Sequence, residues 1–278
     1  MNHPPSRRRV FAAAVLFGLT MLSVTGAVPA GAQSAGLTYT GRAAAVYTPT
    51  GITVSGSQVV APETVVCQAG PLPPSGGTFT ACNGNVALPA GLGNVNVLNQ
   101  SANGAAGTSS ATSEVASANL LPNPIGGVFG VGGLNANIQA TVLRAATSVT
   151  CSSHTENSSL ATLSLNGSPI TPISTSPNSS ISLLNNGLIV TTNVRQFDAA
   201  TNTATASALK LEFPANGPLR SVITGTIFVS YAQSDLHNCT PPVISEFESA
   251  LVVPAAALGL LGLGFVILRR RSSRAIAA

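Results

Sequence analysis

Apolar and polar residues alternate with a period of two over much of the second half of the chain, the spacing of a half-buried β-strand. In Leu209-Lys210-Leu211-Glu212-Phe213 the apolar side chains fall on one side and the charges on the other. Ile223, Gly225, Ile227, Val229 and Tyr231 are expected to form one face of the next strand, with Thr224, Thr226 and Ser230 opposite. Ile138, Ala140 and Val142 open a long strand expected to run through Cys151. Leu163-Ser164-Leu165 leads into Asn166-Gly167, and Asn186-Gly187 precedes Leu188–Val194; both dipeptides tolerate positive φ and mark hairpin turns. No segment between the two ends of the chain carries a helical period. Alternating strands with turns about every ten residues predict an all-β fold, an antiparallel β-sandwich.

The first half is less regular. Leu37–Tyr47 and Ile52–Val60 read as strands, and Pro71–Gly77 as a turn-rich loop. From 99 to 133 the chain is dominated by Ala, Ser, Gly and Asn, which predicts a soft linker or a long surface loop. Within it Ala111–Asn119 reads as a strand of small residues, and 126–133 as a glycine-rich connection. One domain with a soft middle, spanning 33–249, is the favoured organisation.

The two ends follow a different pattern. Arg7, Arg8 and Arg9 precede an apolar run, which closes on Ala30-Gly31-Ala32. Small residues at Ala30 and Ala32 are what signal peptidase requires, so 1–32 is expected to be a signal peptide cut before Gln33. Arg8-Arg9-Val10-Phe11 also approximates a twin-arginine signal, and both export routes stay open. At the other end, 250–268 is an uncharged run that as a helix would span roughly 28 Å, about the thickness of a bilayer's hydrocarbon core. Arg269, Arg270 and Arg271 follow at once. By the positive-inside rule they are the membrane stop, leaving the 269–278 tail in the cytoplasm and the body outside.

Charge supports this division. Of the 278 residues 7% are charged, and the formal +4 comes from the ends. Between Gln33 and Ser249 five basic residues stand against eight acidic ones, a net of −3. Nucleic-acid binding needs clustered Lys and Arg against phosphates and is excluded as a function class.

Cys67, Cys82, Cys151 and Cys239 all lie in the segment expected to be exported. Four cysteines allow three pairings. Cys67 with Cys82, across the proline-rich loop, and Cys151 with Cys239, between distant strand ends, are favoured. A structural zinc site is the competitor, but it needs CxxC-like spacing that is missing.

Two stretches resemble known groups. Val253-Pro254-Ala255, then Gly259-Leu260-Leu261-Gly262-Leu263-Gly264 and three Arg, is similar to C-terminal sorting tails of the PEP-CTERM kind, although the Pro-Glu-Pro signature is absent. Arg144…Cys151, Ala161-Thr162-Leu163-Ser164-Leu165-Asn166-Gly167, Ser176-Pro177-Asn178, Ala208-Leu209-Lys210-Leu211 and Ile227-Phe228-Val229-Ser230-Tyr231-Ala232-Gln233-Ser234 occur in order. That order resembles actinobacterial surface proteins of the choice-of-anchor P type. The resemblance covers about a third of the chain; it implies surface display and no particular activity.

Catalytic patterns are sparse. His154-x-Glu156 and Asp235-x-His237 each place two ligand-type residues on one side of a strand. Were the strands neighbours, two imidazoles and two carboxylates would make a metal site. The plainer reading, polar residues at strand ends beside a disulfide, is favoured, and no cofactor is expected. A G-x-S-x-G elbow is missing. Eight acids with few aromatics and no Trp give little basis for a carbohydrate-cleaving cleft. The glycine run near Gly126 lacks the Lys-Ser/Thr of a phosphate loop. The expectation is therefore a non-enzymatic, membrane-anchored surface protein, structural or adhesive, with a ligand- or metal-binding module as the alternative. Its partners would be the membrane, through the C-terminal helix, and an extracellular ligand.

Overall fold

A computed structural model of the protein describes residues 36–122 and 136–239. The chain divides into a unit of residues 1–238 and a second of 239–278, of which only Cys239 is described. The signal peptide with Ala30 and Ala32, the 123–133 part of the expected linker, the 250–268 helix and Arg269, Arg270 and Arg271 lie outside the described residues. Among the described residues no helix is long and apolar enough to cross a membrane.

The regular structure of the described chain is almost entirely strand, in two antiparallel sheets. The first holds β1 (Thr38–Tyr39), β2 (Arg42–Thr48), β3 (Ile52–Val54), β4 (Ser57–Val60), β5 (Thr64–Ala69), β14 (Ser179–Leu183), β15 (Leu188–Asp198), β16 (Thr203–Phe213) and β17 (Ile223–His237). The second holds β6 (Gly77–Thr80), β7 (Gly84–Ala87), β8 (Gly93–Ala105), β9 (Thr108–Leu120), β10 (Ile138–Thr150), β11 (His154–Ser159), β12 (Thr162–Leu165) and β13 (Ser168–Pro169). The first sheet runs β14-β15-β16-β17-β2-β5, with β1 and β3 also on β17; the second runs β13-β12-β10-β9-β8-β6, with β11 also on β10. The expected all-β antiparallel character is what the chain adopts. Asn166-Gly167 turns between β12 and β13, and Asn186-Gly187 between β14 and β15, where the sequence placed them.

Two expectations change. The stretch from Asn99 to Leu120 is no linker: it lies in β8 and β9, paired from Gly93↔Leu120 to Ala105↔Thr108. Ala and Ser serve here as strand residues because their side chains enter a narrow interior, where longer ones would not fit. Ile52–Val60 is a hairpin and not one strand; Ser55 and Gly56 turn it with φ of 49° and 79°.

The long strands do not keep one alternation phase. β10 buries Ile138 and Ala140, then Leu143, Ala145, Thr147 and Val149, so Val142 is turned out to solvent at 61% exposure. β17 buries Ile223, Ile227 and Val229 against the main core, whereas Tyr231 joins an outer-face cluster. Each change falls at a left-handed residue: Val142 (φ 50°) in β10 and Ser230 (φ 54°) in β17. The register aligns Asn193, Ala208, Ser230, Ala45 and Cys67 in one transverse row of the first sheet, and Asn193 and Cys67 are also left-handed, at 53° and 56°. β8 shifts register at the matching level, beside the exposed Leu98. The expected single face from Ile223 to Tyr231 is thereby corrected, as is the inward reading of Val142.

That row separates two kinds of interior. On one side both sheets contribute large apolar residues to a common core, among them Ile52, Leu120, Ile138, Leu143, Leu163, Leu188, Leu211, Phe213 and Ile227. On the other side most buried residues are small or hydroxylated, among them Ala102, Ala111, Ser113, Thr147, Ala204, Ala206, Ala232 and Ser234, beside the larger Gln100, Val149 and Leu236. Hydrogen bonds cross between the sheets there. Ser113 Oγ donates to the Ala44 carbonyl (2.9 Å), Ser230 Oγ donates to the Ser113 carbonyl (2.8 Å), and the Thr147 and Ser234 hydroxyls are hydrogen-bonded to each other at 2.6 Å. A buried hydroxyl without a partner is costly, so these pairings offset part of the cost of a polar interior, in which Ser109 Oγ and the Gln100 amide have no hydrogen-bond partner.

An arginine-lined cleft at the sheet edges

The four residues weighed as metal ligands are split between two faces. Ser234 points between the sheets, towards Thr147, so Asp235 and His237 take the outer face and the strand end. There Asp235 Oδ2 accepts from Thr40 Oγ1 at 2.7 Å, and His237 Nε2 lies 3.5 Å from the same hydroxyl. His154 and Glu156 instead sit on β11. The His154 ring stacks on Phe197 with centroids 3.6 Å apart, and its Nε2 is 3.9 Å from Glu156 Oε1. The two-by-two metal site does not assemble, because one pair lies on β11 beside Phe197 of β15, with His154 exposed, and the other on the outside of the opposite sheet. Among the described residues no group of three or more His, Cys, Asp or Glu is close enough to hold a metal ion.

Cys67 and Cys82 are bonded to each other, as expected. Cys151 and Cys239 are disulfide-bonded as well, and no cysteine among the described residues is free. The zinc alternative has no ligands left to it.

On the outer face of the first sheet the register brings together Arg42, Tyr47, Phe228, Tyr231 and Gln233. Tyr47 lies 4.7 Å from Tyr231 and 6.2 Å from Phe228, between ring centroids. The Arg42 guanidinium sits 4.6 Å over the Tyr47 ring and donates from Nε to Gln233 Oε1 at 3.2 Å. Tyr231 Oη donates to the same Gln233 oxygen, and Tyr47 Oη donates to Glu63. Burial pushes the Tyr231 phenol up to about 12, even against the Arg42 charge. Burial, then the bond to Glu63, raises Tyr47 also. Most polar groups of this cluster are engaged by one another or by Glu63 and Asp235, which suits a rigid surface more than a reactive one.

A concave region lies elsewhere, where β11 of one sheet faces β15 of the other. A cavity of about 510 Å³ is lined by Ser158, Ser159, Thr171, Ser174, Asn193 and Arg195, among others. A second, of about 380 Å³, shares Ser158, Ser159 and Arg195 and adds Arg144 and Asn157. Arg195 is held from both ends. Its backbone N–H donates to Asn178 Oδ1 and its carbonyl accepts from Asn178 Nδ2, each at 3.0 Å. Its guanidinium donates through Nε to Ser158 Oγ (3.3 Å) and through Nη2 to the Ser158 carbonyl (3.1 Å). No Asp or Glu among the described residues pairs with it, whereas Arg144 is paired to Glu114 at 2.9 Å.

Asn193 closes the other side. It is only 4% exposed, and its Nδ2 donates to the Ser174 carbonyl at 2.7 Å. Its Oδ1 is buried and accepts no hydrogen bond. The Arg195 guanidinium thus lines the cavity without a carboxylate partner among the described residues, whereas the Asn193 amide oxygen is closed off from it.

Sequence reasoning did not single out Asn193 or Arg195. The available signal was Thr191-Thr192-Asn193-Val194-Arg195, where three consecutive polar residues break an otherwise regular strand pattern. No family model, curated protein or solved structure matches the chain.

Proposed function

We propose that the chain is a membrane-anchored surface protein whose β-rich body is displayed outside the cell and acts without catalysis, as a structural or adhesive domain. The observation that carries this reading is that all four cysteines are in disulfides, the state maintained in exported proteins and avoided in the cytosol. The targeting patterns at 1–32 and 250–271 agree with it, and so does the resemblance to choice-of-anchor P surface proteins with a PEP-CTERM-like tail. On this reading the body is a β-sandwich carried on a C-terminal helix, with Cys151 bridged to Cys239. The Arg195 cleft favours the second reading, a ligand-binding module, and the two are compatible in an adhesive domain.

The test is the mass and both termini of the mature protein from fractionated cells. A chain starting at Gln33 in the membrane fraction, with Arg269–Arg271 retained, is the expected outcome. A C-terminus before Ala250, with the body in the wall or medium, would mean a processed sorting signal. An intact N-terminus with reduced cysteines in the cytosolic fraction would overturn the reading.

A further inference from the structure

We infer that Asn166 is a site of spontaneous covalent modification, at which the folded chain turns a neutral amide into a carboxylate. The chemistry belongs to asparagine followed by glycine. The glycine backbone nitrogen loses its proton and attacks the asparagine Cγ, and ammonia leaves. Water then opens the five-membered imide to aspartate or isoaspartate. One water is consumed and one ammonia released, and no other reactant is needed. Glycine favours the ring closure because it has no side chain to crowd it. A glycine N–H held in a hydrogen bond is protected.

The chain holds five such pairs, at Asn83, Asn103, Asn166, Asn186 and Asn216. The fold treats them differently. Gly187 N–H donates to the Leu184 carbonyl and Gly217 N–H to the Pro214 carbonyl, each at 3.0 Å. Gly187 is also packed, since a Cβ there would collide with the Leu219 side chain. Gly104 lies between β6 and β9 under the Tyr39 ring, and Thr78 Oγ1 donates to Asn103 Oδ1 at 2.8 Å. Gly84 is taken up in β7 opposite Val97, two residues after the bridged Cys82.

Asn166 differs on each count. Asn166 and Gly167 are both exposed, and nothing lies within 4 Å of where a Gly167 Cβ would stand. They form the two-residue turn closed by Leu165↔Ser168, and Gly167 N–H makes no hydrogen bond among the described residues. The strand beyond is only Ser168–Pro169, and Pro169 has no N–H to give to the ladder. A hairpin tip held by so few bonds opens readily. The reacting carbonyl is prepared as well. Asn137 N–H donates to Asn166 Oδ1 at 2.9 Å, and attack at Cγ places negative charge on that same oxygen. A donor already aimed there stabilises the charge as it develops.

The change reaches the interior through β12, which pairs with β10 from Ile138↔Leu165 to Thr141↔Thr162 and carries Leu163 into the main core. Isoaspartate lengthens the turn backbone by one carbon, which disturbs that closure.

The experiment ages the full-length protein, in detergent where needed, in warm, mildly alkaline buffer. All five sites are followed by peptide mass spectrometry, in the folded state and in urea. In the folded protein Asn166 is expected to convert faster than Asn83, and at least about tenfold faster than Asn103, Asn186 and Asn216, where a bonded or packed glycine must first be released. In urea the five rates should converge. Asn166→Gln should remove the first acidic species seen on ion exchange. Conversion of Asn166 no faster than that of the other four overturns the inference. So does a ranking that urea leaves unchanged, which would assign the rates to local sequence, or an acidic species that persists in folded Asn166→Gln. Should that variant fail to fold, the site mapping of the native chain decides alone.

Discussion

Tyr231 shows how far one side chain's surroundings set its chemistry. It is 5% exposed although it lies on the outer face, because Tyr47, Phe228 and Arg42 close around it. The neutral phenol is the form that burial favours, so its folded value of about 12 lies above the ordinary 10. A group raised in this way contributes stability that is fully present below pH 10 and is lost as pH climbs through 12. Two units correspond to about 2–3 kcal/mol. Urea unfolding is expected to show stability falling between pH 10 and 12, and Tyr231→Phe should flatten that fall. An unchanged slope in the variant would mean that the phenol is solvated. At this scale the sequence was legible for the cysteines, whose chemistry announces itself. It was opaque for His154 and Asp235, because facing direction depends on a phase that local spacing does not encode.

Phase is decided by whole strands. The alternating run Leu209–Phe213 and the Asn-Gly turns were readable because each obeys a local rule: period two in the first case, positive φ in the second. Val142 and Tyr231 were not readable, since a single left-handed residue reverses every side chain beyond it. The Ala- and Ser-rich β8 and β9 looked soft for a related reason. Small residues signal loops only when nothing packs against them, and here two sheets do. The hydroxyl bridges between those sheets are testable. Thr147→Val and Ser234→Ala are each expected to cost about 1–2 kcal/mol in denaturant titrations, because each leaves a buried partner less satisfied. The double variant should cost clearly less than the two together. Strict additivity would show that the 2.6 Å contact between these hydroxyls has no energetic coupling.

Across the whole molecule, the chain begins and ends its described part in the same sheet, with Thr38 opposite His237 and Arg42 opposite Gln233. Such long-range closure leaves the Cys67–Cys82 bridge a local role, clamping β5 to the segment after β6 across a separation of 15 residues. In the chain-entropy account a loop of that size contributes about 3 kcal/mol. Replacing both residues with Ser is expected to lower stability by roughly that amount without loss of the β signature in circular dichroism. An unaffected midpoint would mean that the unfolded chain already keeps this loop closed. The all-β class and one of the bridges could be read from the sequence at this scale. The division of the interior could not, since it arises from strands far apart in the chain changing phase at one level.

The position of β17 has a mechanical consequence. It is the last described strand, and it is flanked along its length by β16 on one edge and by β1, β2 and β3 on the other. Antiparallel hydrogen bonds run perpendicular to the strands. A pull along β17 from its C-terminal end therefore loads both ladders in shear, so that many bonds must give way together, where a sideways pull would peel them one by one. A load applied to the body at that end would thus meet its strongest direction.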